Sequence, residues 1–202
     1  MSDIICVTNR FLCEDLVMQV KKIATVKPVA IILREKDLDE REYKKIAEKV
    51  MAICRQKNCQ CILHSFPKVA KSLGCHAIHL PLPTLEQLNG EEKKYFNVLG
   101  ASCHSVDDAK RAEYLGCTYI TAGHIYETDC KKGLPGRGTE FLNEVVKSVN
   151  IPVYAIGGIT PVRYNKIMKT GAQGICLMSS LMKSKNPEKL LKDFEKVKEK
   201  GE

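Results

Sequence analysis

The chain has 202 residues, of which 44% are hydrophobic and 28% are charged, a composition that fits one globular domain and leaves no room for a second large one. No apolar run reaches the length of a membrane-spanning helix and no secretory signal opens the chain, so we expect a cytoplasmic protein without a membrane partner. The net charge of +8 favours an anionic ligand. Because the basic residues alternate with acidic ones and not with aromatic ones, we expect no nucleic-acid partner.

The ten cysteines are the unusual feature of the composition. None of them has the CxxC spacing of a zinc site, and several, such as Cys6, Cys54 and Cys176, fall within apolar segments. We therefore interpret them as small buried hydrophobic residues and expect no metal centre.

Eight short apolar segments rich in β-branched residues alternate with longer stretches of helical period. Such units predict parallel strands joined by helices, and therefore a single-domain (β/α)₈ TIM barrel over residues 1–202. An open doubly wound sheet is the alternative, but the first segment lacks the glycine-rich turn typical of that fold. The fourth unit is the weakest, since Pro81 and Pro83 follow its strand. The predicted strands are 4–7, 29–33, 60–63, 77–80, 97–102, 119–122, 153–156 and 174–178, and the clearest helical patterns are 40–56 and 105–116.

In a barrel of this kind the functional residues lie where strands end and loops begin. The seventh predicted strand runs into Gly157 and Gly158, and the eighth runs into Ser179 and Ser180. Either segment alone is explained by a tight turn. Together they are typical of the phosphate site that barrels build after strands seven and eight, with backbone N–H groups close to the anion.

Two cations, Arg34 and Lys36, follow the second predicted strand and would point to the same face if the strand continued. One hypothesis is that they clamp a second anionic group. The other is a salt-bridged rim, because Glu35, Asp37 and Asp39 lie beside them in the sequence. The residues alone leave both open.

The segment 121–138 is a long glycine-rich loop after the sixth predicted strand, and long loops in compact domains are commonly lids or binding segments. His124 stands at its start, where a neutral imidazole could exchange protons near neutral pH. The alternative is a structural hydrogen-bonding role. His64, His79 and His104, which also fall at strand ends, are weaker candidates.

The chain resembles the thiamine phosphate synthase and TenI superfamily of small TIM barrels over nearly its whole length. The long central segment is more similar to TenI, the thiazole tautomerase, than to the synthases. The segments that carry the resemblance are LREK, GCHAIHLP, GASCHSVDDA, GHIYETDCKKG with GRG, IPVYAIGGITP and GAQGICLMSSL.

Departures from the synthases point the same way. Where a synthase has the Asn-Asp pair that holds magnesium and diphosphate, this chain has His64 and Ser65; where it has a glutamine before the LREK arginine, this chain has Ile32. After His79-Leu80 the chain continues with Pro81 instead of the synthase's glycine, glutamine and acid. The oxygen ligands that magnesium prefers are therefore missing from these positions.

The resemblance thus implies a cofactor-free, metal-free isomerase that aromatises the carboxythiazole phosphate of thiamine biosynthesis. It assigns proton transfer to His124 and phosphate binding to the Gly157–Gly158 and Ser179–Ser180 turns. It also implies that Lys131 contacts the phosphate or the carboxylate of the substrate. A phosphorylated thiazole is then the expected small-molecule partner, and a homo-oligomer is compatible with the superfamily. The alternatives are a diverged thiamine phosphate synthase, which is a transferase, and a non-catalytic ligand-binding or regulatory protein of the thiamine pathway.

Overall fold

The protein is a closed barrel of eight parallel strands, seen in a computed structural model that describes residues 3–128, 131 and 133–199. Each strand pairs with the next in sequence, and β8 returns to β1 through the register Ile5↔Cys176. This closure confirms the predicted barrel and excludes the open sheet. The strands are β1 Ile4–Val7, β2 Ala30–Leu33, β3 Gln60–His64, β4 Ala77–Pro81, β5 Val98–Cys103, β6 Tyr119–Gly123, β7 Val153–Ile156 and β8 Gly174–Leu177.

Helices follow the strands and cover the outside of the barrel. They are α1 Leu16–Thr25, α2 Glu40–Lys57, α3 Pro67–Ser72, α4 Leu82–Gln87, α5 Gly90–Lys94, α6 Val106–Tyr114, α7 Gly138–Ser148, α8 Pro161–Met168, α9 Ser179–Met182 and α10 Pro187–Glu199, with a 3₁₀ turn at Arg10–Leu12. Local chemistry fixes their ends: the side chains of Asp39 and Ser105 accept bonds from Glu42 N and Asp108 N at the starts of α2 and α6. The fourth unit contains the two short helices α4 and α5, and Pro83 stands in the first turn of α4, where proline is tolerated.

The core lies inside the barrel and between the barrel and its helices, and it includes thiols. Six of the described cysteines are buried and carry no disulfide, as the sequence led us to expect: Cys6, Cys54, Cys75, Cys103, Cys117 and Cys176. Burial raises the pKa of Cys103 and of Cys117 to about 12, so these thiols stay protonated and unreactive at neutral pH. Among the described helices, none combines the length and apolar character that a bilayer crossing requires.

One buried hydroxyl connects α2 to the carboxyl ends of two strands. Tyr43 is fully buried, and its hydroxyl donates to the carbonyl oxygen of Leu33 at 2.7 Å and accepts from the backbone N–H of His64 at 2.8 Å. The two bonds therefore fix the positions of Leu33 and His64, the last residues of β2 and β3.

We expect Tyr43→Phe to lower the free energy of unfolding by about 1–3 kcal/mol, because it leaves a buried carbonyl and a buried N–H without this partner. Urea-induced unfolding followed by circular dichroism measures the change. Tyr114→Phe is the matched control, since Tyr114 is 81% exposed, and it should change the stability little. Equal stabilities for the two variants would contradict this role of Tyr43.

Candidate functional site

A cavity of about 1280 Å³ opens at the carboxyl ends of the strands. The eight residues that the sequence predicted for a site all lie in its wall, although they come from four separate segments of the chain. They are Arg34, Lys36, His124, Lys131, Gly157, Gly158, Ser179 and Ser180. Residues 129, 130 and 132 of the predicted glycine-rich loop lie outside the described part of the chain.

The turn after β7 depends on its two glycines. Gly157 and Gly158 have φ values of +105° and +64°, a region that side chains disfavour. A Cβ on Gly157 would overlap His124, and a Cβ on Gly158 would overlap the carbonyl oxygen of Glu127. The glycines therefore allow the loop after β6 to pack directly on the turn after β7, which is a structural demand beyond the approach of an anion.

The turn after β8 is held from outside the site by a buried glutamine that the sequence analysis missed. The side-chain amide of Gln19, on α1, donates to the carbonyl oxygens of Leu181 and Ser184 at 2.7 and 2.9 Å. These bonds fix α9, at whose start Ser179 and Ser180 line the cavity. A polar residue on the buried face of an amphipathic helix was the available signal.

The segment after β2 keeps its acids away from the cavity. The Thr8 hydroxyl donates to buried Glu35 at 2.6 Å and accepts from the backbone N–H of Arg34 at 2.9 Å. The backbone N–H of Arg10 donates to Glu35 at 3.0 Å, and both terminal guanidinium nitrogens of Arg10 donate to the carboxylate of Asp37.

These contacts decide between the two readings of the segment. Arg10 takes up Glu35 and Asp37, while Arg34 and Lys36 line the cavity and form no salt bridge within the described part of the chain. The geometry therefore favours a pair of cations available to a ligand over a salt-bridged rim.

Two further cations, Arg163 and Lys183, lie in the cavity wall and were not predicted. Arg163 donates to the carbonyl oxygen of Gly158 at 2.6 Å, and its guanidinium lies 4.4 Å from the ring centroid of Tyr126. Arg163 stands in the first turn of α8, where the helix dipole disfavours a cation. A basic first turn without acids was thus a sequence signal for a nearby anion.

Two stacked histidines line the cavity where β3 and β4 meet it, and we call this part of the cavity its floor. The rings of His64 and His79 lie 5.6 Å apart between centroids with an interplanar angle of 21°. His79 hydrogen-bonds through Nδ1 with the hydroxyl of Tyr119 at 3.0 Å and through Nε2 with that of Ser102 at 2.9 Å. His64 hydrogen-bonds through Nδ1 with the Ser65 hydroxyl at 2.6 Å.

Both imidazoles are uncharged at neutral pH. Burial, reinforced by the charge of Arg34, lowers the pKa of His79 to about 3. Burial is also the main cause that lowers the pKa of His64 well below its ordinary value, and His79, Arg34 and Lys36 add to the effect. The wall of the cavity is cationic, whereas this part of its floor is neutral and polar.

His124 lies at the other side of the cavity, in contact with the turn after β7, and is 7% exposed. Its Nε2 atom is 3.3 Å from the carbonyl oxygen of Leu134. Its Nδ1 atom is buried and has no hydrogen-bond partner among the described residues. Such atoms are rare in folded proteins and often mark the place of a ligand or water.

The donor set does not fit magnesium. Glu127 is the one carboxylate among the described residues of the cavity wall, and the described chain contains no cluster of three or more metal-binding side chains. Magnesium takes oxygen ligands, commonly carboxylates together with substrate phosphates. Positive charge at this site comes instead from the side chains of Arg34, Lys36, Lys131, Arg163 and Lys183.

A (β/α)₈ barrel with a cationic cavity at its strand ends is the class of protein that the fold and the site define. The chain belongs to the thiamine monophosphate synthase family, whose sequence profile matches residues 4–181. The superfamily inferred from the motifs is thereby confirmed.

Individual relatives are named as synthases. The chain is 33% identical over 171 residues to the thiamine-phosphate synthase of Methanobrevibacter smithii, covering 80% of each chain. It is 34% identical over 164 residues to that of Chlorobium luteolum, covering 78% of this chain and 76% of the relative. Its fold matches the thiamine phosphate pyrophosphorylase of Pyrococcus furiosus with a TM-score of 0.82 at 26% identity, over 98% of this chain and 96% of that one.

These relatives show that the predicted tautomerase, an isomerase, is wrong, because the similar proteins carry the name of a transferase. The prediction relied on the segment around His124 and on the departures from the synthase motifs, among them His64 and Ser65. In the structure this segment packs on Gly157 and Gly158 through its backbone and Cβ atoms. Its similarity to TenI does not specify a reaction.

The two neutral histidines make stability depend on pH. The unfolded chain protonates an imidazole near its ordinary pKa of 6.5, whereas folded His79 does so only near 3. Below pH 6.5 the unfolded state therefore binds more protons, so the free energy of unfolding should fall as the pH drops from 6.5 to 5. We expect a slope of at most about 1.4 kcal/mol per pH unit for each histidine.

Urea-induced unfolding at several pH values in this window measures the slope. His79→Phe should reduce it, and His76→Phe, which changes a histidine outside the cavity, should preserve it. An unchanged slope in His79→Phe would contradict the neutral state of His79.

Proposed function

We propose that the protein is a thiamine-phosphate synthase-type transferase that joins a phosphorylated thiazole to a hydroxymethylpyrimidine diphosphate. The observation that carries the proposal is a single cavity with two separate groups of anion-binding residues. One group comprises the turns after β7 and β8, and the other comprises Arg34 and Lys36 after β2. In the closed strand order, β1 lies between β8 and β2, so the two groups occupy separate positions on the mouth of the barrel.

The size of the cavity supports two ligands. Sites for one small molecule usually enclose about 300–1,000 Å³, and this cavity encloses about 1280 Å³. A transferase must hold both substrates together, whereas an isomerase needs room for one. The names of the relatives favour the same reaction class.

The reaction follows from the chemistry of the two substrates. The thiazole ring nitrogen donates its electron pair to the methylene carbon of the pyrimidine, and a C–N bond forms. The C–O bond to the diphosphate breaks, and the diphosphate leaves with the electron pair. Arg34 and Lys36 would stabilise the negative charge that grows on the leaving group, with Lys131 reaching in from the loop after β6.

The glycine and serine turns would hold the thiazole phosphate. Backbone N–H groups at Gly157 and Gly158 and the start of α8 favour an anion there, and the Ser179 and Ser180 hydroxyls add donors. Arg163 lies against this turn and adds positive charge.

His124 has a place in this scheme as a residue that contacts substrate. Its unpartnered Nδ1 atom lies beside the phosphate turn, and a polar atom of the bound thiazole phosphate would satisfy it. The aromatic nitrogen that attacks carries no proton. The transfer therefore requires no general base, and we assign His124 to orientation of the thiazole.

Turnover tests the proposal. We expect the protein to form thiamine phosphate from the two substrates, which oxidation to fluorescent thiochrome detects. Arg34→Met should lower kcat/KM by about 10- to 100-fold, because it removes a charged donor from the leaving group. Arg55→Met, on the exposed face of α2, is the matched control and should retain the wild-type rate. Absence of product, or equal rates for the two variants, would contradict the proposal.

The poor fit to magnesium gives a second expectation. Turnover should persist after exhaustive treatment with a chelator, because side-chain cations supply the positive charge at the cavity. The measurement is the initial rate before and after chelation, with magnesium added back as the control. Loss of turnover with recovery on magnesium would show that the metal enters with the diphosphate and that the cations are insufficient.

A further inference from the structure

We propose that His64 selects the uncharged aromatic ring of the diphosphate substrate through a hydrogen bond at its Nε2 atom. The proposal rests on the transferase function above and deepens it, since it assigns to the cavity floor the part of the substrate that the cations cannot recognise. Arg34 and Lys36 bind charge and would accept any organic diphosphate. A further group must distinguish one organic portion from another.

His64 offers one open nitrogen to the cavity. Its Nδ1 atom is engaged by the Ser65 hydroxyl at 2.6 Å. The Nε2 atom of His64 has no hydrogen-bond partner among the described residues. It is also not one of the buried unpartnered side-chain atoms of the described chain, which are His124 Nδ1 and Tyr126 Oη. Because His64 lines the cavity, we infer that its Nε2 atom is accessible from there.

The surroundings hold this ring in one place. Tyr43 binds the backbone N–H of His64 at 2.8 Å, Ser65 fixes one ring nitrogen, and the ring of His79 stacks on its face. His79 is itself fixed by Tyr119 and Ser102. A side chain held on three sides makes a directional hydrogen bond at low entropic cost.

The imidazole is uncharged because it is buried beside two cations. A neutral imidazole attracts phosphate oxygens less strongly than the charged side chains of Arg34 and Lys36 do. It instead pairs with neutral polar groups such as a ring nitrogen or an aromatic amine. His64 is the last residue of β3 and the cations follow β2, the neighbouring strand, so a diphosphate held by Arg34 and Lys36 lies next to the floor that would receive its ring.

A thermodynamic cycle tests the proposal through binding, independently of turnover. Calorimetry gives the Kd of three ligands for each protein: the aminopyrimidine diphosphate, its analogue without the exocyclic amine, and inorganic diphosphate. We expect the wild type to prefer the amine-bearing ring by about threefold to tenfold, the range of one neutral hydrogen bond. His64→Phe should abolish this preference and leave the affinity for inorganic diphosphate within about twofold.

Two further variants complete the design. His64→Gln keeps an uncharged donor and acceptor and should recover part of the preference, which also covers the case in which His64→Phe does not fold. His76→Phe is the matched control, since His76 hydrogen-bonds with the carbonyl oxygen of Tyr95 outside the cavity, and it should bind as the wild type does.

NMR of the wild type provides a readout without any substitution. With five histidines in the chain, the imidazole nitrogen signals can be assigned. The chemical shifts of the His64 imidazole nitrogens should change on addition of the aminopyrimidine diphosphate and should stay the same on addition of inorganic diphosphate.

A preference that survives in His64→Phe, or an equal loss of affinity for ring and inorganic diphosphate, would overturn the role of His64. The same holds if the wild type shows no preference. Failure of the proposed transferase would look different, since the ring would bind with the expected preference while no thiamine phosphate formed.

Discussion

Closure of the sheet between β1 and β8 is the constraint on which the site depends. Parallel strands all end on the same rim, so closure brings residues from eight distant parts of the sequence around one cavity. Each strand has four to six residues, and most of its side chains are buried. The cavity wall is therefore formed mainly by residues at the ends of the strands and just after them. Buried polar ties such as Tyr43 and Gln19 then fix where those residues stand.

Distribution of charge is the second level of organisation. The acids on either side of Arg34 and Lys36 in the sequence, Glu35 and Asp37, are bound by Thr8 and Arg10. This arrangement satisfies a buried carboxylate, which is costly when left alone, and Arg34 and Lys36 form no salt bridge in the described chain. The charge of Arg34 helps to lower the pKa of both neighbouring histidines, and Lys36 adds to the effect at His64.

The order of the strands and helices was predictable, and the predicted strand ends lie within about one residue of the observed ones. Buried β-branched runs and helical periods are local signals, which is why the sequence shows them. The glycine and serine turns were predictable for the same reason. Arg163 and Lys183 were missed, since the sequence does not show which surface lysine or arginine the barrel turns toward its mouth. His64 was ranked low because its meaning depends on Arg34 and His79, which only the fold brings beside it.

The error in the predicted reaction has a physical origin. A motif that both packs a loop and borders a ligand carries two constraints, and the sequence does not separate them. The segment after β6 passes over Gly157 and Gly158, and its backbone together with the Cβ atoms of His124 and Tyr126 occupies the space that a side chain on either glycine would need. The Asn-Asp pair that the family resemblance associates with magnesium and diphosphate is likewise replaced here by a neutral imidazole and a hydroxyl, at His64 and Ser65. Exchanging charged metal ligands for neutral hydrogen-bonding groups beside existing cations changes how a diphosphate is neutralised, while the bonds made and broken in its displacement stay the same. Loss of those acids therefore bears on the means of charge stabilisation, and it does not by itself argue against transfer.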